Sequence, residues 1–299
     1  MSAATESKPK ETPVPGRPFP RGLIRRLRAK LRNLFQAQYA DAMEILDRAA
    51  GRKMAGKLEP DWRSLFTPDK LKRWAEDVHP EVEAGYAVGG KQGIADVRAA
   101  LDAQDLELQV APWSVEAPGA RDAINRAALA LSTTANGVTQ GQLERLLPGL
   151  RSELIQGTVQ GEGYDWMAGR LRAIFGHADK YRSQRIAITE TQRAVHQGLL
   201  EQYKESGVVE STQWLLSGAP CPQCVAVADE HEAGVALGAE YARVEGAKEA
   251  YASVVAPPLH PGCLCSIFPI LLPIERLKAM ARDQARLKAA AANRPALAI

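Results

Sequence analysis

Leu23, Leu27, Leu31, Leu34 and Phe35 recur every three or four positions, with Arg25, Arg26, Arg28, Lys30 and Arg32 between them. This pattern predicts a helix from Arg21 with one apolar and one basic face. Helical character continues to about residue 58 and weakens through Gly51 and Gly56. Thr67-Pro68-Asp69 reads as a cap and first turn for a second helix through Leu71, Trp74 and Val78, expected to stop before Pro80. Residues 85–93 look loose, with Gly89-Gly90 as a break, and Pro112 to Gly119 reads as a domain boundary. Residues 120–135 form a helix ending near Asn136-Gly137. Thr139 to Gln142 caps another through Leu143 to Leu154, interrupted by Pro148, and Asp165 caps a third through Leu171 and Phe175. A long helix follows over 180–206, with Ile186, Val195, Leu199 and Tyr203 inward and Gly207 as its stop.

After Gly207 the pattern changes. Val208-Val209, Thr212 to Leu216, Cys224 to Ala228 and Ser266 to Leu271 read as strands. Residues 231–256 form an Ala/Gly/Glu-rich insertion, helical around Ala247 to Tyr251. The tail from Ile274 returns to a basic helix through Leu277, Met280 and Leu287. The expected class is α+β: a predominantly helical body with a small C-terminal β element. The expected parts are a Pro-rich disordered arm (1–20), a helical region (21–112), a core domain (113–273) and a basic helical tail (274–299).

With 299 residues, 45% hydrophobic and 24% charged, the chain can bury a core. Its longest apolar stretch, Ile267 to Leu272, is far below the roughly 20 residues that span a bilayer, so no membrane partner is expected. The net charge of +3 hides an asymmetry. Residues 1–35 hold nine Lys/Arg against Glu6 and Glu11, residues 274–299 hold six against Glu275 and Asp283, and the stretch between is net acidic. Basic ends on an acidic body suit contact with a polyanion or an acidic partner. Arg21, Arg25, Arg26, Arg28, Lys30 and Arg32 are the candidate contacts to DNA or a partner; a solvated basic face competes with that reading.

The four cysteines lie within 45 residues, as Cys221-Pro222-Gln223-Cys224 and His260-Pro261-Gly262-Cys263-Leu264-Cys265. A Cys-x-x-Cys turn joined by a second Cys/His segment is the pattern of a tetrahedral zinc site. Five candidates compete for four positions: Cys221, Cys224, His260, Cys263 and Cys265. On an extended segment one of Cys263 and Cys265 faces away; if the chain turns there, all four cysteines ligate and His260 stands behind them. The competing readings are disulfides and metal-free packed thiols. The first twenty residues lack the apolar core of a secretory leader, so disulfides are not expected. A cysteine-rich shell fills without water, so the zinc is expected to be structural.

Arg185-Ile186-Ala187-Ile188-Thr189-Glu190-Thr191, Gly198, Tyr203 to Val208, Trp214-Leu215, Cys221-Pro222-Gln223-Cys224 and Pro257 to Cys265 follow one another in an order that resembles the head-morphogenesis domain of tailed bacteriophages, the phage Mu F-type minor head proteins. The resemblance covers residues 118–272, and Gly85 to Gly93 is similar to the upstream part of such proteins. It departs at Leu264 and Ile188, where the family usually has arginine. It implies a minor capsid protein of the virion, assembled in the host bacterial cytoplasm. Such a protein associates with the portal protein at the head vertex, and some relatives help DNA enter or leave the head; inner capsid or scaffold proteins and double-stranded DNA are the further expected partners. It implies no enzyme activity.

On the long helix, Arg185 can reach Thr189 one turn later, and Glu190 and Arg193 can pair on the surface. The expected role is a pairing that docks the helix, against a catalytic carboxylate at Glu190. The alternative function is a zinc-dependent nuclease or hydrolase, with His260 at the metal and Glu230 or His231 of Asp229-Glu230-His231 as base. No Gly-rich phosphate loop and no Gly-x-Ser-x-Gly elbow is present.

Overall fold

The computed structural model describes residues 14, 17, 19–52, 62–112, 114–117, 119–137, 140, 168–169, 171–173, 175–176, 181–242 and 253–292. Apart from Gln140, the expected helix over Thr139 to Leu154 lies outside them, as do the Asp165 cap and the helical turn at Ala247 to Tyr251. The described residues contain helices α1 (Arg21–Arg52), α2 (Pro68–Asp102), α3 (119–137), α4 (Ser183–Ser206), α5 (Pro222–Glu230) and α6 (Ile274–Ala292). The strands are β1 (Val209–Leu215), β2 (Val235–Ala236) and β3 (Ser266–Leu271). The chain is therefore mainly helical with a small sheet near its C-terminal end. No helix among the described residues is long and apolar enough to cross a membrane.

The chain groups into two compact units, neither a single stretch. The first takes Met1–Phe19, Gly85–Ala120 and Gln192–Ile299; the second takes Pro20–Ala84 and Arg121–Thr191.

The second unit is built from helix stripes. Leu23, Ile24, Leu27, Leu31, Phe35, Ala42, Ile45 and Leu46 of α1 are buried, as are Trp74, Val78 and Val82 of α2 and Ile124, Ala128, Leu131 and Ala135 of α3. The period of 3.6 dictates each stripe. Three of its buried polar side chains are linked in a row. Gln38 donates to Asn136 Oδ1, Asn136 Nδ2 to the Ser132 carbonyl, and Ser132 Oγ to the Leu71 carbonyl.

In the first unit, β1 lies between β2 and β3, antiparallel to both, with Trp214 opposite Ile267 and Thr212 opposite Pro269. β3 is an edge strand, which is where a proline such as Pro269 is tolerated. Val97, Leu101, Leu199, Tyr203, Val208, Trp214, Val227 and Ile267 share one core with Cys224, Cys263 and Cys265.

Four expectations change. α2 does not stop before Pro80 and does not break at Gly89-Gly90; it runs through both. Pro80 is exposed, and the carbonyl it leaves unpaired belongs to the exposed Glu76. The glycines serve close approach: a Cβ on Gly89 would stand 1.9 Å from the Val195 carbonyl oxygen, and one on Gly198 2.2 Å from that of Tyr86. Backbone packs on backbone there, and only glycine fits. Residues 224–228, expected as strand, belong to α5, because Pro222 sits at the start of a helix it favours. Finally, the described part of the N-terminal arm is not loose, since Val14 is buried and Arg17 is largely so.

Candidate metal centre

The first half of the centre is the start of α5. Cys221 is the N-cap residue, with φ −82° and ψ 161°, and its sulfur makes no capping hydrogen bond. It is thus available as a ligand, and Cys224 lies one turn later, buried at 1% exposure. The second half is the loop before β3. The Cys263 N–H donates to the His260 carbonyl at 3.0 Å, and Gly262 has φ +79°. That left-handed position suits glycine, and the turn it allows brings His260 and Cys263 back toward α5.

The geometry brings together all five expected residues. His260 Nε2 lies 3.2 Å from Cys221 Sγ and 3.3 Å from Cys224 Sγ. His260 Nδ1 lies 3.2 Å from the Pro261 carbonyl, which accepts its proton and leaves Nε2 as the ligand atom. Cys224 Sγ is 3.7 Å from Cys263 Sγ. That is close to the separation of about 3.8 Å between two sulfurs bound tetrahedrally at Zn–S of about 2.3 Å. The donors form two groups, Cys221/Cys224/His260 and Cys224/Cys263/Cys265, in each of which the ligand atoms lie within 4.8 Å of one another. Cys224 belongs to both. Neither Cys263 nor Cys265 faces away, and His260 does not stand behind the thiols. The turned segment places His260 with Cys221 and Cys224, and Cys263 and Cys265 with Cys224. All four cysteines are free thiols.

The thiols share charge unequally. Hydrogen bonds to Cys263 and Cys265, then burial, push Cys224 up. Hydrogen bonds from Cys224 and Cys263 hold Cys265 well below the usual thiol range. A divalent cation would let every ligating thiol ionise. The α5 N-terminus adds a favourable dipole.

Asp229, Glu230 and His231 stand at the other end of α5, about 9 Å along its axis from Cys224 at 1.5 Å per residue. Asp229 and Glu230 are exposed, and the His231 ring packs edge-on against Tyr241 at 5.5 Å. They are not part of either donor group.

Other expected residues fare unevenly. Thr189 Oγ1 donates to the Arg185 carbonyl at 2.8 Å, so that pair meets through backbone. Glu190 is buried at 8% exposure, where a surface position was expected. The reason is that Ile186 to Gln192 are buried on every side of the helix, so this turn has no solvent face. In α1, Lys30 pairs with Glu81 at 2.9 Å and bonds the Asp77 carbonyl, and Arg26 lies 3.7 Å from Glu81. Arg21, Arg28 and Arg32 also have partners within the chain. Of the basic face, Arg26 and Lys30 are matched by carboxylates of α2. Sequence reasoning did not find His196. It is fully buried, its Nδ1 donates to the Gln192 carbonyl at 2.8 Å, and its Nε2 accepts from Ser266 Oγ at 3.2 Å. Burial lowers its pKa to about 4. Nothing in a lone histidine on a helix signals this.

Residues 149–268 match the family model described as Phage Mu protein F like protein. The matched stretch contains all five metal-ligand candidates, and it supports a role in phage head morphogenesis. No curated protein and no solved structure matches the chain.

Proposed function

We propose that this chain, phage Mu F-like over residues 149–268, is a structural minor head protein that associates with the portal vertex while the procapsid assembles. The carrying observation is the family match, which from Gln192 onward includes Trp214, Val227, Ile267 and the four cysteines of the first unit's core. A structural zinc ion fits that role. Cys221, Cys224 and His260 supply three donors and Cys263 or Cys265 the fourth, tying the start of α5 to the loop before β3. Bound there, the ion would supply cross-linking and charge neutralisation. The remaining basic side chains of α1, with Arg25 exposed, and of α6 would contact packaged DNA or acidic capsid surfaces. Phosphate contacts of this kind weaken steeply with salt.

The reading is tested by deleting the gene from the phage or prophage that carries it and examining the particles. Defective heads restored by the wild-type chain, with the chain recovered in portal-containing fractions, are expected. Normal, infectious heads without it would retire the proposal. The nuclease alternative has no support from the position of Asp229, Glu230 and His231. Plasmid cleavage dependent on added zinc or magnesium and lost in Glu230→Gln would revive it.

A further inference from the structure

The five donors of the metal centre do not form a single shell. Cys221, Cys224 and His260 make one triad and Cys224, Cys263 and Cys265 another, with the ligand atoms of each triad within 4.8 Å of one another. Among the described residues no fourth donor stands that close to every member of either triad. Cys224 Sγ is the shared atom, 3.3 Å from His260 Nε2 on one side and 3.7 Å from Cys263 Sγ on the other. The triads also differ in chemistry. The first mixes nitrogen with sulfur and reaches the surface, since Cys221 and His260 are only half-buried. The second is all sulfur, and its three residues are buried in a core shared with Trp214, Val227, Leu259 and Ile267.

One zinc ion takes four donors and leaves one thiol of the second triad unused. Nor can its two positive charges balance four thiolates. A second zinc does not fit the remainder, because three buried sulfurs leave its tetrahedron open. A soft monovalent ion does fit. It favours thiolate, accepts three donors, and sheds its hydration at less cost than a divalent ion.

We infer that Cys224, Cys263 and Cys265 form a second ion position, bridged to the zinc through Cys224, for a soft monovalent cation of the copper(I) class. The inference rests on the zinc reading above, which supplies the neighbouring ion, and adds a position of different charge and softness. The zinc keeps Cys221, Cys224, His260 and one thiol of the second triad, and that thiol bridges as well.

The test uses full-length protein and silver(I), a copper(I) mimic that keeps its oxidation state, under anaerobic conditions. Zinc content is measured first, which tests the zinc reading by itself. Silver is then added in steps, with bound ions counted by native mass spectrometry and freed zinc read by a chromophoric chelator. The first equivalent should bind without expelling zinc. Cys263→Ser and Cys265→Ser should each weaken that silver position by at least about a hundredfold, while at least one of the two keeps its zinc. Cys221→Ser, which leaves the sulfur triad whole, should still bind silver. Zinc released in step with the first equivalent of silver would overturn the inference, and this wild-type titration depends on no variant folding. Equal silver affinity in wild type and both second-triad variants would also overturn it. Protein that arrives without zinc contradicts the zinc reading alone. Silver held by that protein and lost in Cys265→Ser still supports the sulfur position, and no silver bound overturns it.

Discussion

In the second unit, Leu27, Leu31 and Phe35 are at most 2% exposed on a stripe set by helical period alone, and Lys30 closes its rim on Glu81. In the first unit, the equally buried Cys224, Cys263 and Cys265 come from a helix start and a loop 39 residues apart, and no period connects them. One core is made of continuous faces that find each other by apolar contact. The other brings irregular backbone together around groups that a plain apolar core would not choose. The comparison teaches that the first unit depends on specific chemistry at a few atoms, and the second on the sum of many interchangeable contacts.

The sharpest way to break the comparison is Cys224→Ser. Cys224 is the sulfur common to both donor groups, so its loss should release bound metal and abolish cooperative unfolding of the first unit. Structural zinc typically contributes about 10 kcal/mol or more of apparent binding free energy. The second unit's helical signal should persist, as circular dichroism during thermal unfolding would show. If the two units lose structure together, the contrast fails.

Acid sharpens it next. His196 is held neutral with its pKa lowered to about 4, whereas the unfolded chain protonates it near 6.5. Between those values the unfolded state binds more protons. Stability is therefore complete above about pH 6.5 and falls as pH drops toward 4, by about 3 kcal/mol from this group. His196→Gln should flatten the slope of unfolding free energy in that window, measured by denaturant titration at fixed pH.

Glycine replacements follow in size. Gly89→Ala forces a methyl into the Val195 carbonyl and should cost about 3 kcal/mol. Gly137→Ala in the second unit meets nothing within 4 Å and should change stability by less than about 0.5 kcal/mol. Smallest among the destabilising changes, Lys30→Met should cost about 1 kcal/mol and less in high salt, because the lysine side of the pair is 27% exposed. A larger effect for Lys30 than for Gly89 would reverse the assignment of specific chemistry to the first unit.

Much of this was legible beforehand, for reasons that differ by region. The α1 stripe, the long α4 with Gly207 (φ +66°) as its stop, and β3 over Ser266–Leu271 follow from period and punctuation. Pro80, Gly89 and Gly90 misled because propensity is local, while the helix is kept by a partner backbone that needs glycine. Residues 224–228 misled because a β-rich run of Val and Cys looks the same in a buried helix. The five candidate donors were legible from spacing. Their meeting at Cys224 was not, since it depends on the turn at Gly262. Tyr203 is legible as an inward position, but its hydrogen bond to Asp96 and the pairing of Asp96 with Arg17 gave no signal, because Arg17 comes from the far end of the chain.

The most direct measurement is elemental analysis combined with native mass spectrometry of purified full-length protein, before and after strong chelation. The account predicts about one zinc per chain, lost on chelation together with the first unit's cooperative unfolding. Fully folded protein that carries no metal, and whose unfolding is indifferent to chelator, would contradict it.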